Sequence, residues 1–244
     1  MEVHHHAHTA RKKWTHYFWE FLMLFLAVFC GFLAEYQLEH VIEKQREKQY
    51  MISMVEDLKS DALMLKNNVE QRRRRIPMID SLIFLLNLEQ KNNHGSDIHF
   101  LGRSISPPLN IFPNDRTIQQ LKSSGNLRLI SKKDISNSIM AYDQKMRNAL
   151  FEMDDEVMIR AEYRQIAAKV FNSTVFNEIS GFERLTRPLG NPLLFSSDPA
   201  LINELIGKAQ YVKRIHMAQM RTAEQLLLQN NQLMEQLKKE YHLK

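Results

Sequence analysis

Side chains able to do chemistry are few in this 244-residue chain, and they are poorly grouped. His4, His5, His6, His8 and His16 form its densest set of ligand-type residues. Neutral imidazoles bind zinc, nickel or copper, and His4 and His8 would share a helical face. A short tail offers no outer shell to orient them, so no metal site is expected. Glu152, Asp155 and Glu156 have the i, i+3, i+4 spacing of some metal-binding helices. No Glu-x-x-His accompanies them, so di-iron chemistry lacks half its ligands, and they read as a solvated face. His94, His99, His216 and His242 stand apart, with no HExxH, G-x-S-x-G or P-loop nearby. No catalytic residue, no cofactor and no metal ligand is assigned, and the chain is not expected to be an enzyme.

Two other groups of residues suggest contact rather than catalysis. Arg72, Arg73, Arg74 and Arg75 precede Ile76-Pro77 and could meet a phosphate, a polyanionic glycan or lipid headgroups. The alternative is that they sit at a helix C-terminus, where the macrodipole favours cations without any ligand. Glu20 is the one charge in an otherwise apolar stretch, residues 17–34, that also holds Ala27, Cys30, Gly31 and Ala34. Small residues four apart, such as Ala27 and Gly31, let membrane helices approach closely. Glu20 pairs most simply with His16 one helical turn earlier, or contacts a second membrane helix.

Eighteen residues of helix are about 27 Å long, close to the roughly 30 Å hydrocarbon layer of a bilayer. Trp14, Tyr17, Phe18 and Trp19 at one end and Tyr36 at the other suit the two interfaces. The residues after the run contain no A-x-A pattern, and Phe29 precedes Cys30 where a lipoprotein signal needs a small residue. The run therefore reads as an uncleaved signal anchor over 14–36, its main partner the lipid bilayer. Arg11, Lys12 and Lys13 abut it, whereas Lys44, Arg46 and Lys48 lie further off among glutamates. Proximity places the N-terminus inside, with 1–13 a basic, His-rich cytoplasmic tail and 37–244 outside a bacterial cytoplasmic (inner) membrane.

The remainder must then be positioned by helices. Gly and Pro number seven each, and eleven of these fourteen fall within 95–125 and 181–199. Breakers this scarce disfavour a turn-dense β fold or a glycine-rich phosphate-binding domain. A single Cys excludes an intramolecular disulfide. Lys plus Arg exceed Asp plus Glu by 33 to 28, too even a balance to imply nucleic-acid binding.

Met51, Val55, Leu58, Ala62, Leu65 and Val69 step by three and four, a heptad seam that either pairs with a second copy or is covered by the chain's own later helices. The same register runs back through Ala27, Cys30 and Ala34, which suits a homodimer. This helix should end or kink before Pro77, and a second face follows at Ile79, Leu82, Ile83 and Leu86. Residues 93–113 and 173–198 are long connections rich in apolar residues, and therefore packed on helices. A short helix over 116–123 should stop at Gly125 in a left-handed conformation. Ser131-Lys132-Lys133-Asp134 reads as a capping box. Beyond it Ile135, Ile139, Tyr142, Met146, Ala149 and Met153 carry a buried stripe through Val157 and Ile166 to Phe171. Ser197 or Asp198 with Pro199 opens a last helix, its inner face marked by Leu205, Val212, Ala223, Leu226, Leu233 and Leu237. The fold expected is all-α: a transmembrane helix continuing into an antiparallel bundle of long helices with two ordered connections.

Met54-Val55-Glu56-Asp57-Leu58-Lys59 just after an apolar span, and Thr117-Ile118-Gln119-Gln120-Leu121-Lys122-Ser123-Ser124-Gly125-Asn126-Leu127-Arg128-Leu129-Ile130 before a helix with Tyr142, resemble a family of single-span bacterial membrane proteins known only as a domain of unknown function. The second stretch is similar to that family's T-x-x-x-L-K-S-S-G-x-L-x-x-I pattern. The resemblance covers about residues 15–150 and implies the same anchored layout; it brings no catalytic residues. The expected role is a scaffold or assembly factor acting through contact with a protein partner, with an extracytoplasmic sensor or ligand-binding bundle signalling through a separate membrane partner as the alternative.

Overall fold

A computed structural model describes residues 14–181 and 184–243. The histidines at positions 4, 5, 6 and 8, the basic residues 11–13 and Phe182 lie outside the described residues. Six α-helices follow one another: α1 (Trp14–Leu86), α2 (Gly95–Ile105), α3 (Arg116–Ser123), α4 (Lys133–Val170), α5 (Ser173–Glu178) and α6 (Pro199–Tyr241). Single 3₁₀ turns occur at Lys91–His94 and Asn126–Leu129. The described residues contain no strand beyond an isolated bridge between Ser180 and Leu185, so the expected all-α class is observed.

The chain divides into two compact units, Met1–Gln49 and Tyr50–Lys244. In the first, the described residues are helical, and the apolar side chains of 17–34 are exposed apart from half-buried Leu22. Among the described residues this stretch of α1 is the one helix long and apolar enough to cross a membrane.

In the second unit α1, α4 and α6 are packed along heptad seams. The buried positions of α6 are Ile202, Leu205, Ala209, Val212, His216, Gln219, Ala223, Leu226, Asn230, Leu233 and Leu237, alternating steps of three and four without a break. This 3.5-residue period keeps one face of a long helix against its neighbours. On α4 the same alternation runs from Ile135 through Met153 and then through Glu156, Arg160 and Tyr163 to Val170. The expected continuation through Val157 does not occur, because that side chain is half exposed and Glu156 takes the inward position. On α1 the central seam is Met51, Met54, Leu58, Asp61, Leu65, Asn68 and Arg72, with Val55 and Val69 buried beside it. Helices of this same chain cover that seam.

Cross-bundle pairs fix the directions. Asp61 meets Tyr142 and Arg72 meets Glu156, so α1 and α4 run the same way. Arg73 meets Glu224 and Asp80 meets Lys213, so α6 runs antiparallel to α1, as expected. The connection between α1 and α4 therefore returns along the bundle. At one end α2 packs against Phe171, where a Cβ on Gly102 would lie 2.3 Å from the ring. Near the other end α3 is tied to α1 and stops at Gly125, whose φ of 68° is the left-handed stop expected there.

Pro77 does not end α1. It removes one intrahelical bond at a cost of about 3 kcal/mol. Ile79, Leu82 and Leu86 immediately beyond are buried against α2, α4 and α6, which holds the turn in place. At α4 the helix begins at Lys133 with Lys132 in the N-cap position, one residue later than the capping box suggested. At α6 the Asp198 carboxylate accepts from the amides of Ala200 (2.7 Å) and Leu201 (3.4 Å), with Pro199 at the start of the helix. Asp198→Ala should remove this cap and lower unfolding stability by about 1 kcal/mol in urea titrations followed by helix content.

Candidate functional site

The three seams bring polar residues together in two layers inside the bundle. The first lies between the two apolar clusters, one containing Met51 to Val69 and the other Ile79 to Leu86. Its centre is Arg72, a fully buried guanidinium. Arg72 Nε donates to Asn68 Oδ1 (2.8 Å), and Nη2 donates to Glu156 Oε2 (2.8 Å) and to the Leu109 carbonyl (2.9 Å). Nη1 lies 2.8 Å from His216 Nδ1. Arginine has no acceptor, so Nδ1 must accept and the His216 proton sits on Nε2, which has no partner among the described residues. Asn68 Nδ2 also donates to Leu109, which ties the connection into the layer.

Glu156 receives a second cation: Arg160 Nη1 donates to its Oε1 at 3.2 Å. Burial lowers the Arg72 pKa while the Glu156 charge raises it, and arginine remains protonated in either case. The pKa of His216 is pushed down to about 3, first by burial and then by the charges of Arg72, Arg75 and Arg160. His216 is therefore neutral at pH 7 and serves as an acceptor for Arg72.

The second layer joins Asp61, Tyr142 and Asn230. Tyr142 Oη donates to Asp61 Oδ2 (2.9 Å) and accepts from Asn230 Nδ2 (3.0 Å). Asp61 Oδ1 accepts from the Asn114 amide (2.7 Å). Burial raises the Asp61 pKa, opposed by these two hydrogen bonds. One turn earlier on α1, Asp57 accepts from the Thr117 amide (3.0 Å) and from Arg116 (2.9 Å), capping α3 from outside. The stretches Met54 to Lys59 and Thr117 to Ile130, about sixty residues apart in the chain, thus meet at Asp57. Lys122 and Arg147 both pair with Asp143 beside them. The space enclosed by Asp57, Asp61, Asn114 and Tyr142 is about 30 Å³, enough for a water or two.

The four arginines do not converge on one anion. Successive residues of a helix point about 100° apart, so four in a row face all sides of it. Arg72 faces inward to Glu156, Arg73 pairs with Glu70 and Glu224 at the surface, Arg74 is exposed and Arg75 donates to the Pro107 carbonyl. They are not at a helix C-terminus either, since α1 continues past them. Of the three carboxylates read as a solvated face, Glu152 and Asp155 are exposed but Glu156 is buried. The Glu20 carboxylate lies 3.6 Å from His16 Nδ1, the i, i+4 pair expected. Ala27, Cys30, Gly31 and Ala34 follow one face of α1 and are exposed. His99 is buried, with Nδ1 donating to the Gly95 carbonyl (2.8 Å).

Comparison with protein-family models, curated proteins and solved structures gives no significant match. The site is thus interpreted from its own geometry. Neither layer pairs a nucleophile with a base beside open space; each joins three helices and the returning connection. Sequence reasoning placed Glu156 on a solvated face and missed Arg160, Asn68 and Asn230, although all four continue the three-four steps of their seams.

The His216 environment sets a pH dependence. Its pKa in the folded chain lies below the ordinary 6.5, so its contribution to stability is complete above pH 6.5 and is lost as pH falls toward 3. Denaturant unfolding at a series of pH values should show His216→Asn, which keeps an acceptor for Arg72, losing less stability than the parent across this window. The difference should be on the order of a few kcal/mol.

Proposed function

We propose that this chain is a bilayer-anchored helical protein that works by holding other proteins in place, as a scaffold or assembly factor, rather than by transforming a substrate. The observation that carries this reading is the filled interior. The seams are buried along their length, the buried polar groups mostly engage one another, and the interior space beside Asp61 has room for only a water or two. A chain that carries no ligand-sized cavity there has its surface left for recognition.

Anchoring is supported by the exposed apolar helix of the first unit. On this reading 14–36 spans a bacterial cytoplasmic membrane with the N-terminus inside and Tyr50–Lys244 outside. The small residues Ala27, Gly31 and Ala34 would let a second copy pack closely there, with Cys30 on the same face as a crosslinking handle. In the second unit Leu63 and Phe112 are mostly exposed and line one shallow groove with Met64 and Pro108 among the polar Ser60, Asn67, Gln71 and Asn110, a mixed surface suited to contact. The sensor alternative has one observation in its favour, an arginine-lined cleft at the α2–α4–α5 junction.

Two measurements test the proposal. Protease added outside an intact cytoplasmic membrane should digest the second unit without lysis; protection until lysis would reverse the topology. A photo-crosslinking amino acid in place of Phe112 should give a discrete heavier species in cells, and the same group in place of Tyr211, exposed on α6, should not. Absence of an adduct from position 112 would contradict contact through this groove.

A further inference from the structure

Arg103 of α2 and Arg164 of α4 line an open cleft of about 380 Å³, together with Ser106, Ser173, Asn177 and Ser180. The rest of its lining is Tyr163, Ala167, Ala168, Phe176 and Gly102, the Tyr163 hydroxyl being satisfied by the Gly102 carbonyl (2.8 Å). The volume lies within the roughly 300–1,000 Å³ of small-molecule sites. Both guanidinium groups are fixed in place. Arg103 Nε donates to Ser180 Oγ (3.1 Å), and its guanidinium carbon stands 5.8 Å from the centre of the Phe176 ring. Arg164 donates from Nε to Ser106 Oγ (3.0 Å) and from Nη2 to the Ser106 carbonyl (2.6 Å).

These bonds leave donors over. Both Nη groups of Arg103 and Nη1 of Arg164 have no acceptor among the described residues, and no described carboxylate forms an ion pair with either side chain. The α2 C-terminus explains the two bonds from Arg164 to Ser106 but not the remaining donors. The charge balance points the same way. Burial and then the neighbouring charges of Arg160 and Arg103 lower the Arg164 pKa. Arg160 in turn shares its one acid, Glu156, with Arg72. Arg72, Arg75, Arg160, Arg164 and Arg103 thus form a run of neighbouring cations whose buried carboxylate, among the described residues, is Glu156.

We propose that this cleft binds a small organic oxyanion, its carboxylate or phosphate held across Arg103 and Arg164 and its apolar body lying against Phe176, Ala167 and Ala168. Ser173, Asn177 and Ser180 supply neutral hydrogen-bonding groups at the rim. Planar arginine forks suit both oxyanions, and the pairing is charge-assisted. The site goes beyond a contact role and does not depend on it.

The test is isothermal titration of the full chain in a neutral detergent with benzoate, phenyl phosphate and inorganic phosphate, at low salt. Saturable binding of benzoate or phenyl phosphate is expected, tighter than inorganic phosphate because of the apolar floor. Benzoate above phenyl phosphate assigns a carboxylic acid, and the reverse assigns a phosphate ester. Arg103→Gln should weaken binding by at least about tenfold and Arg103→Lys by less, since Lys keeps charge but not the fork. Among the described residues the Arg103 side chain is held by one hydrogen bond to Ser180 and by the Phe176 ring, and circular dichroism would confirm unchanged helix content. Absence of saturable binding up to tens of millimolar, inorganic phosphate binding as tightly as both organic probes, or equal affinity in a folded Arg103→Gln chain would each overturn the proposal.

Discussion

A guanidinium with no exposed surface must be neutralised and hydrogen-bonded where it stands, and the rest of the bundle is arranged to do that for Arg72. Moving such a charge out of water is unfavourable by several kcal/mol unless a partner ion and well-placed acceptors compensate. Arg72 draws its acceptors from every quarter: Asn68 on its own helix, Glu156 on α4, His216 on α6 and the Leu109 carbonyl on the returning connection. A slip of one heptad in any seam would remove one of them and leave the charge partly unpaired.

The second layer imposes the same kind of constraint some eleven residues away on α1, where Asp61, Tyr142 and Asn230 again take one residue from each long helix. Polar groups at seam positions characteristically define register at some expense in stability. Two such layers with apolar clusters on either side give α1 and α4 a common direction and α6 the opposite one. They also tie 107–117 to α1 through Asp57, Asp61, Asn68, Arg72 and Arg75, so the breaker-rich connection is ordered despite its prolines. An interior committed in this way is poorly suited to opening around a ligand. Recognition is left to the surface, whether at the groove beside Phe112 or at the arginine cleft beside Phe176.

Much of this architecture was legible in the residues. Helix class, the apolar stretch of the first unit, the α3 stop at Gly125 and the start of α6 at Pro199 follow from local rules about breakers, caps and runs, although they left Ser197 and Asp198 equal as its cap. The α1 seam was placed one flank off, because Val55, Ala62 and Val69 are apolar while the true seam carries Asp61, Asn68 and Arg72. Glu156 resembled its exposed neighbours Glu152 and Asp155 in type, and only the strict three-four step from Met153 distinguishes it. The shared direction of α1 and α4 was not readable, since the connection between them is long enough for either arrangement. Helix continuity through Pro77 depends on tertiary burial beyond it, which no local rule reports. Arg103 and Arg164 come from distant segments, so nothing in their spacing marks a common cleft.

The most direct test of this account is a double-mutant cycle on Arg72 and Glu156, read by denaturant unfolding of the full chain. If the buried pair governs the packing, Arg72→Met or Glu156→Leu alone should be destabilising by about 3–5 kcal/mol, since each strands a buried charge, and the two together by far less than their sum. Single substitutions each lowering stability by under about 1 kcal/mol, or effects that simply add, would contradict it.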